Sequence, residues 1–78
     1  MSRFYFNIHD DICTLDLEGS ELPDLQAARA YAVTGARSLA ADNVLRGDLT
    51  LSHRVDILDE AHQIVDAVSF GDAVRIAP

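Results

Sequence analysis

From Arg3 to His9 the chain alternates, with Phe4, Phe6 and Ile8 set between Arg3, Tyr5, Asn7 and His9. A period of two is the signature of a strand with one apolar face. Asp10-Asp11 then supply turn chemistry, and Cys13, Leu15 and Leu17 alternate with Thr14, Asp16 and Glu18, which predicts a second strand and a hairpin. Residues 19–24 (Gly-Ser-Glu-Leu-Pro-Asp) break the alternation and prepare a helix, with Asp24 the best N-cap and Ser20 or Pro23 as alternatives. From Leu25 to Arg46 the apolar letters return at helical spacing. Leu25, Ala28, Ala32, Gly35, Ala36 and Leu39 share one stripe, flanked by Tyr31 and Val33. The stripe is built of small residues, and a glycine inside a helix costs ~1 kcal/mol relative to alanine, so Gly35 predicts a close approach of helix to sheet.

Gly47 stops the helix, and apolar letters alternate again at Leu49, Leu51, His53, Val55 and Ile57. A ten-residue strand would exceed the usual ~5–6, so the third strand is assigned from His53, and Leu49 and Leu51 become candidates for anchoring the connection over the helix end. Asp59-Glu60-Ala61-His62 turns the chain into a fourth strand, Gln63 to Phe70. Gly71-Asp72 ends it, with Asp72 placed to cap a final helical turn through Ile76. The expected fold is a single α+β domain over residues 1–78, a two-layer ββαββ arrangement with one helix packed on a four-stranded antiparallel sheet. One helix cannot cover both faces of four strands. Tyr5, Leu58, Val65 and Ala67 are therefore expected on the open face or near an edge, and Ala27, Ala30, Thr34 and Ala41 on the outer face of the helix, all as candidate interaction residues.

Composition narrows the partners. The 78 residues are 49% hydrophobic, enough for one core and too few for two. A net charge of -7 argues against nucleic acid bound through its phosphates and against an anionic membrane surface. All six basic residues are arginine, none clustered along the chain, and arginine pairs readily with the abundant aspartates. The single cysteine, Cys13, has no disulfide partner in the chain, and Met1-Ser2-Arg3 leads directly into a strand rather than an apolar signal core, so a cytoplasmic location is expected.

Few residues suggest chemistry. Three histidines invite a metal reading, His9 beside Asp10 and Asp11, His53 at a strand start and His62 in the second hairpin turn; His9, Asp10, Asp11 and His62 are the weak candidates, available if both hairpin turns lie at one end of the sheet. Cys13 falls on the apolar side of its alternation and is expected to be buried as a small hydrophobe. Asp66 falls on the same side as Ile64 and Val68, which implies an exposed or edge position, a bulge, or burial against an arginine such as Arg54 or Arg75. No glycine-rich phosphate loop is present. No enzyme and no cofactor are indicated.

The aromatic start Arg3-Phe4-Tyr5-Phe6, the segment Glu21-Leu22-Pro23-Asp24 leading into an alanine-rich helix, Asp59-Glu60, and the closing Phe70-Gly71-Asp72-Ala73 carry a resemblance across nearly the whole chain. Together they resemble a family of short uncharacterised alphaproteobacterial proteins, a domain of unknown function. His62 stands where that family's hairpin commonly has glycine, which puts a positive-φ turn in question, and Asp66 where an apolar residue is usual. The segment Leu22-Pro23-Asp24-Leu25 is also similar to the helix start of small HicB-type antitoxin domains, and the acidic charge of this chain would suit a protein that masks a basic partner. The first expectation is a non-enzymatic module that binds a protein partner or itself as a homodimer. A metal or small-ligand sensor and an antitoxin-like inhibitor are the alternatives.

Overall fold

Alternation in the first residues produces the organising strand of the sheet, β1 (Ser2–His9), in the computed structural model, which describes residues 1–77. It is followed by β2 (Cys13–Thr14), β3 (Ser20–Leu22), α1 (Leu25–Leu45), β4 (Arg54–Leu58), β5 (Ile64–Ser69) and a short α2 (Phe70–Ala73). The architecture is α+β with five antiparallel strands, one more than expected. Their order is β2-β1-β4-β5, and β3 pairs with the other end of the β1 edge that β2 occupies.

The extra strand arises because the predicted second strand stops after two residues. The Asp16 carboxylate accepts the Phe6 N–H at 3.1 Å and those of Glu18 and Gly19 at 3.2 and 3.0 Å, which holds the chain off the β1 edge as a loop. Gly19, at φ 71, then brings it back to pair Ser20–Leu22 with Ser2–Phe4. Leu15 and Leu17, expected in the strand, stand in solvent. Cys13 lies opposite His9 on the face away from the helix and is exposed, not buried as expected.

Asp24 caps α1 by accepting the Ala27 N–H at 2.8 Å, and Gly47 at φ 85 follows its end. Only alanines are fully buried along α1: Ala28, Ala32, Ala36 and Ala40. Leu25 is exposed and Leu39 half-buried, so the buried stripe is shifted from the expected one. A Cβ built on Gly35 would meet nothing within 4 Å, so this glycine is not the point of close approach. The large core residues come from the sheet and α2: Phe4, Phe6, Val55, Ile57, Val68 and Phe70.

The turn between β4 and β5 is fastened by Asp59, which accepts from Ala61 and Gln63 through its side chain and from His62 through its carbonyl. His62 takes the left-handed conformation at φ 59, so histidine fills the positive-φ place that glycine commonly supplies, and its ring stacks on Tyr5 at 4.3 Å. A bulge follows, with Leu58 opposite Ile64 and Ile57 opposite Asp66. Phe70 begins α2 instead of ending β5. The cap of α2 is Ser69, and Asp72 returns the bond to the Ser69 N–H, so Asp72 is the third residue of a capping box and not the cap. No helix among the described residues is long and apolar enough to cross a membrane.

Candidate functional site

On the open face of the sheet, the polar side chains around Asp56 are paired with one another. Asp56 points to that face from the central strand β4, yet is 4% exposed, because its carboxylate is held by His9 Nε2 at 2.9 Å and Arg54 Nε at 3.0 Å. Cys13 Sγ lies 4.0 Å from the same Nε2. A carboxylate only accepts, so Nε2 carries the proton toward Asp56 and cannot also take one from the thiol. The three side chains therefore share a face without forming a base-activated nucleophile.

The metal candidates are separated by topology. Because β1 and β4 are antiparallel, the turn after β1 and the turn after β4 lie at opposite ends of the sheet. That places His9, Asp10 and Asp11 at one end and His62 at the other, against the expectation that both turns could meet. Asp11 instead reaches His53 Nε2 at 3.6 Å. His53 packs edge-on to Phe70, and its buried Nδ1 has no partner among the described residues. Among these residues no three His, Cys, Asp or Glu side chains are arranged to hold a metal ion.

Carboxylates take outward backbone groups on both sides of the sheet, at Ala67 of β5 and at Phe6 of β1 between β2 and β3. Phe70 donates to His53 across the β4–β5 ladder, so by alternation the Ala67 N–H and C=O point outward. The Asp66 carboxylate takes that N–H at 2.8 Å, and Arg29 donates to the carbonyl while pairing with Asp66 at 2.9 Å. Asp66 thus holds the edge position expected, beside a bulge, but its arginine is Arg29 of α1 rather than Arg54 or Arg75. The Ala67 hydrogen bond, the Arg29 hydrogen bond and the Arg29 charge outweigh burial and hold its carboxyl below the usual aspartate range. Asp16 closes the other edge at Phe6. Burial pushes its carboxyl up, but hydrogen bonds from Gly19, Phe6 and Glu18, with the Arg3 charge, bring it below the usual range.

The expected interaction residues are scattered. Tyr5 is half-buried beneath His62, and Leu58 is buried at 8% between its cross-strand neighbours Tyr5 and Ile64, so it offers no surface. Val65 is exposed at the bulge, while Ala67 is half-buried with its outward backbone groups occupied. Ala27 is half-buried, Ala30 and Thr34 are exposed, and the Thr34 hydroxyl donates back to the Ala30 carbonyl.

Ala41 alone borders a surface of contiguous apolar character. With Ala40, Val44, Leu45, Leu49, Val74 and Ile76 it lines a groove of ≈ 540 Å³ between the last turns of α1 and the segment after α2. Leu45 is 85% exposed there, and Val44 and Ile76 are also exposed. Arg37 and Arg75 form the rim. Arg3, Arg29 and Arg54 have carboxylate partners. Arg37, Arg46 and Arg75, all at this end, have none within 4.0 Å among the described residues. A second, smaller cleft of ≈ 230 Å³ lies between α1 and the β1 edge, opened by the absent side chain of Gly35 and lined by Phe6, Ile8, Tyr31 and Leu39. Alternation could not reveal the larger groove, since its walls come from three separate stretches of chain; of the residues expected on the outer helix face only Ala41 borders it.

The sequence pattern of a domain of unknown function, DUF6894, matches residues 3–71. The chain belongs to the DUF6894 family. The match runs from the second residue of β1 to the second residue of α2, so all of the sheet but Ser2 and the whole of α1 lie within the DUF6894 domain, while Val74, Arg75 and Ile76 of the groove lie beyond it. No curated protein and no solved structure matches the chain.

Proposed function

We propose that this protein is a non-enzymatic interaction module of the cytoplasm that docks a protein segment in the groove along the last turns of α1. The observation that carries this reading is the coincidence of solvent-facing Val44, Leu45 and Ile76 with Arg37 and Arg75, which have no carboxylate partner among the described residues of a chain of net charge -7. Apolar walls supply binding area and the rim selects charge, so the matching segment is apolar with acidic neighbours. Along the β5 edge strand pairing is opposed, because Asp66 and Arg29 already hold the outward Ala67 groups and Asp72 the Ser69 N–H.

A photo-crosslinking residue in place of Leu45 tests this in cells, with Ala61 in the β4–β5 turn as control. A discrete protein adduct at position 45, identified by mass spectrometry, absent at 61 and lost with Val44→Asp, is the expected result. No adduct, or equal labelling at both positions, would overturn the reading.

A further inference from the structure

The docking reading leaves the occupant of the groove to be named, and the chain carries a matching segment. The loop from Asp10 to Glu18 projects Ile12, Leu15 and Leu17 into solvent, with Ile12 74% and Leu17 85% exposed. Asp10, Asp11 and Glu18 are exposed beside them. Asp16, the remaining acid of the loop, is turned inward onto Phe6, Glu18 and Gly19, so the outward charge comes from its neighbours. A monomer that leaves both these leucines and the walls of the α1 groove in water exposes two apolar patches of opposite electrostatic setting.

We propose that the occupant is a second copy of this chain: Leu15 and Leu17 of one copy pack on Val44 and Leu45 of the next, with Asp10, Asp11 and Glu18 facing Arg37 and Arg75. This inference rests on the docking reading above. The net charge of -7 on each copy opposes association at long range, and the local pairing of loop carboxylates with the arginine rim offsets that where the surfaces meet. Strand addition between copies is opposed at Phe6 by Asp16 and at Ala67 by Asp66 with Arg29, whereas the loop and groove are open to side-chain docking. The two patches differ, so the contact is heterologous, and each copy offers one of each. Association then continues head to tail until a ring closes or a filament grows.

Sedimentation velocity on the full chain tests this, using Leu17→Asp to disable the loop and Val44→Asp to disable the groove. Both positions are exposed, and circular dichroism confirms that each variant is folded; Leu15→Asp and Leu45→Asp repeat the pair. Wild type is expected to pass through species larger than a dimer as concentration rises to about 500 μM, a range that reaches sub-millimolar affinities. Each variant alone stays monomeric, and an equimolar mixture forms a dimer and stops there, because only one intact loop and one intact groove can meet. A wild-type monomer throughout, or a mixture that stays monomeric, would overturn the self-association. If position 45 nevertheless crosslinks to a different protein, the docking reading stands and only the occupant is wrong.

Discussion

Asp16 shows how one side chain can replace several residues of strand. Its carboxylate takes the Phe6 N–H that a longer β2 would have bonded, and the Glu18 and Gly19 N–H groups that begin the return to β3. The folded carboxyl titrates below its unfolded value of about 3.8, so it binds fewer protons than the unfolded chain in that range. A depressed carboxylate contributes stability that is fully present above the unfolded pKa and is lost as pH falls through the folded one. Asp16→Ala should cost on the order of 2 kcal/mol near neutral pH, given the usual worth of hydrogen bonds to a charged acceptor. In thermal melts, the gap between wild type and Asp16→Ala should narrow as the pH is lowered below 3.8. A gap that stays constant with pH would show that the ionised carboxylate is not what holds the loop.

At the scale of elements, the two glycines nearest the strand and helix decisions respond oppositely to the same change. Gly19 has φ 71, and a Cβ there would stand 2.8 Å from the Phe4 carbonyl oxygen, so β3 returns to β1 only because no side chain intervenes. Gly35 is helical with open space around it. Gly19→Ala should destabilise by roughly 1–3 kcal/mol, and Gly35→Ala should stabilise by about 1 kcal/mol. Urea midpoints measure both, and a destabilising Gly35→Ala would restore the close-packing reading that its sequence position suggested. That reading failed because periodicity locates a stripe but not its rotation: the four alanines four residues apart are the buried line, and Leu25 falls off it. Local signals served well where the decision is local, as in the alternation of β1, the Asp24 cap and the stop at Gly47. They failed where a distant group decided. The Phe6 N–H drew Asp16 away from a predicted strand, antiparallel β1–β4 pairing sent His9 and His62 to opposite ends, and Arg29 settled Asp66. The groove was hidden for the same reason, since Leu49 and Ile76 meet α1 only after the chain has folded.

For the molecule as a whole, the alanine line on α1 means that few side chains hold the layers together. The principal extents are 39 × 24 × 16 Å, and the largest fully buried side chains are Phe70, Ile57 and Val68. Phe70 occupies the point where β5 becomes α2. Its N–H binds the His53 carbonyl at 2.7 Å, its ring takes the edge of His53, and its carbonyl accepts the Val74 N–H. Truncating a buried phenylalanine costs ~3–5 kcal/mol, against a total of about 4–12 kcal/mol expected for a domain this size. Phe70→Ala should therefore lower the melting temperature by roughly 12 °C or more, or abolish the cooperative transition. Leu25→Ala, at an exposed position the helical pattern had placed in the core, should change it little. If Phe70→Ala melted within a few degrees of wild type, α2 would be a dispensable appendage. The Val74 and Ile76 wall that it positions would then be too loosely held to form one side of a docking groove.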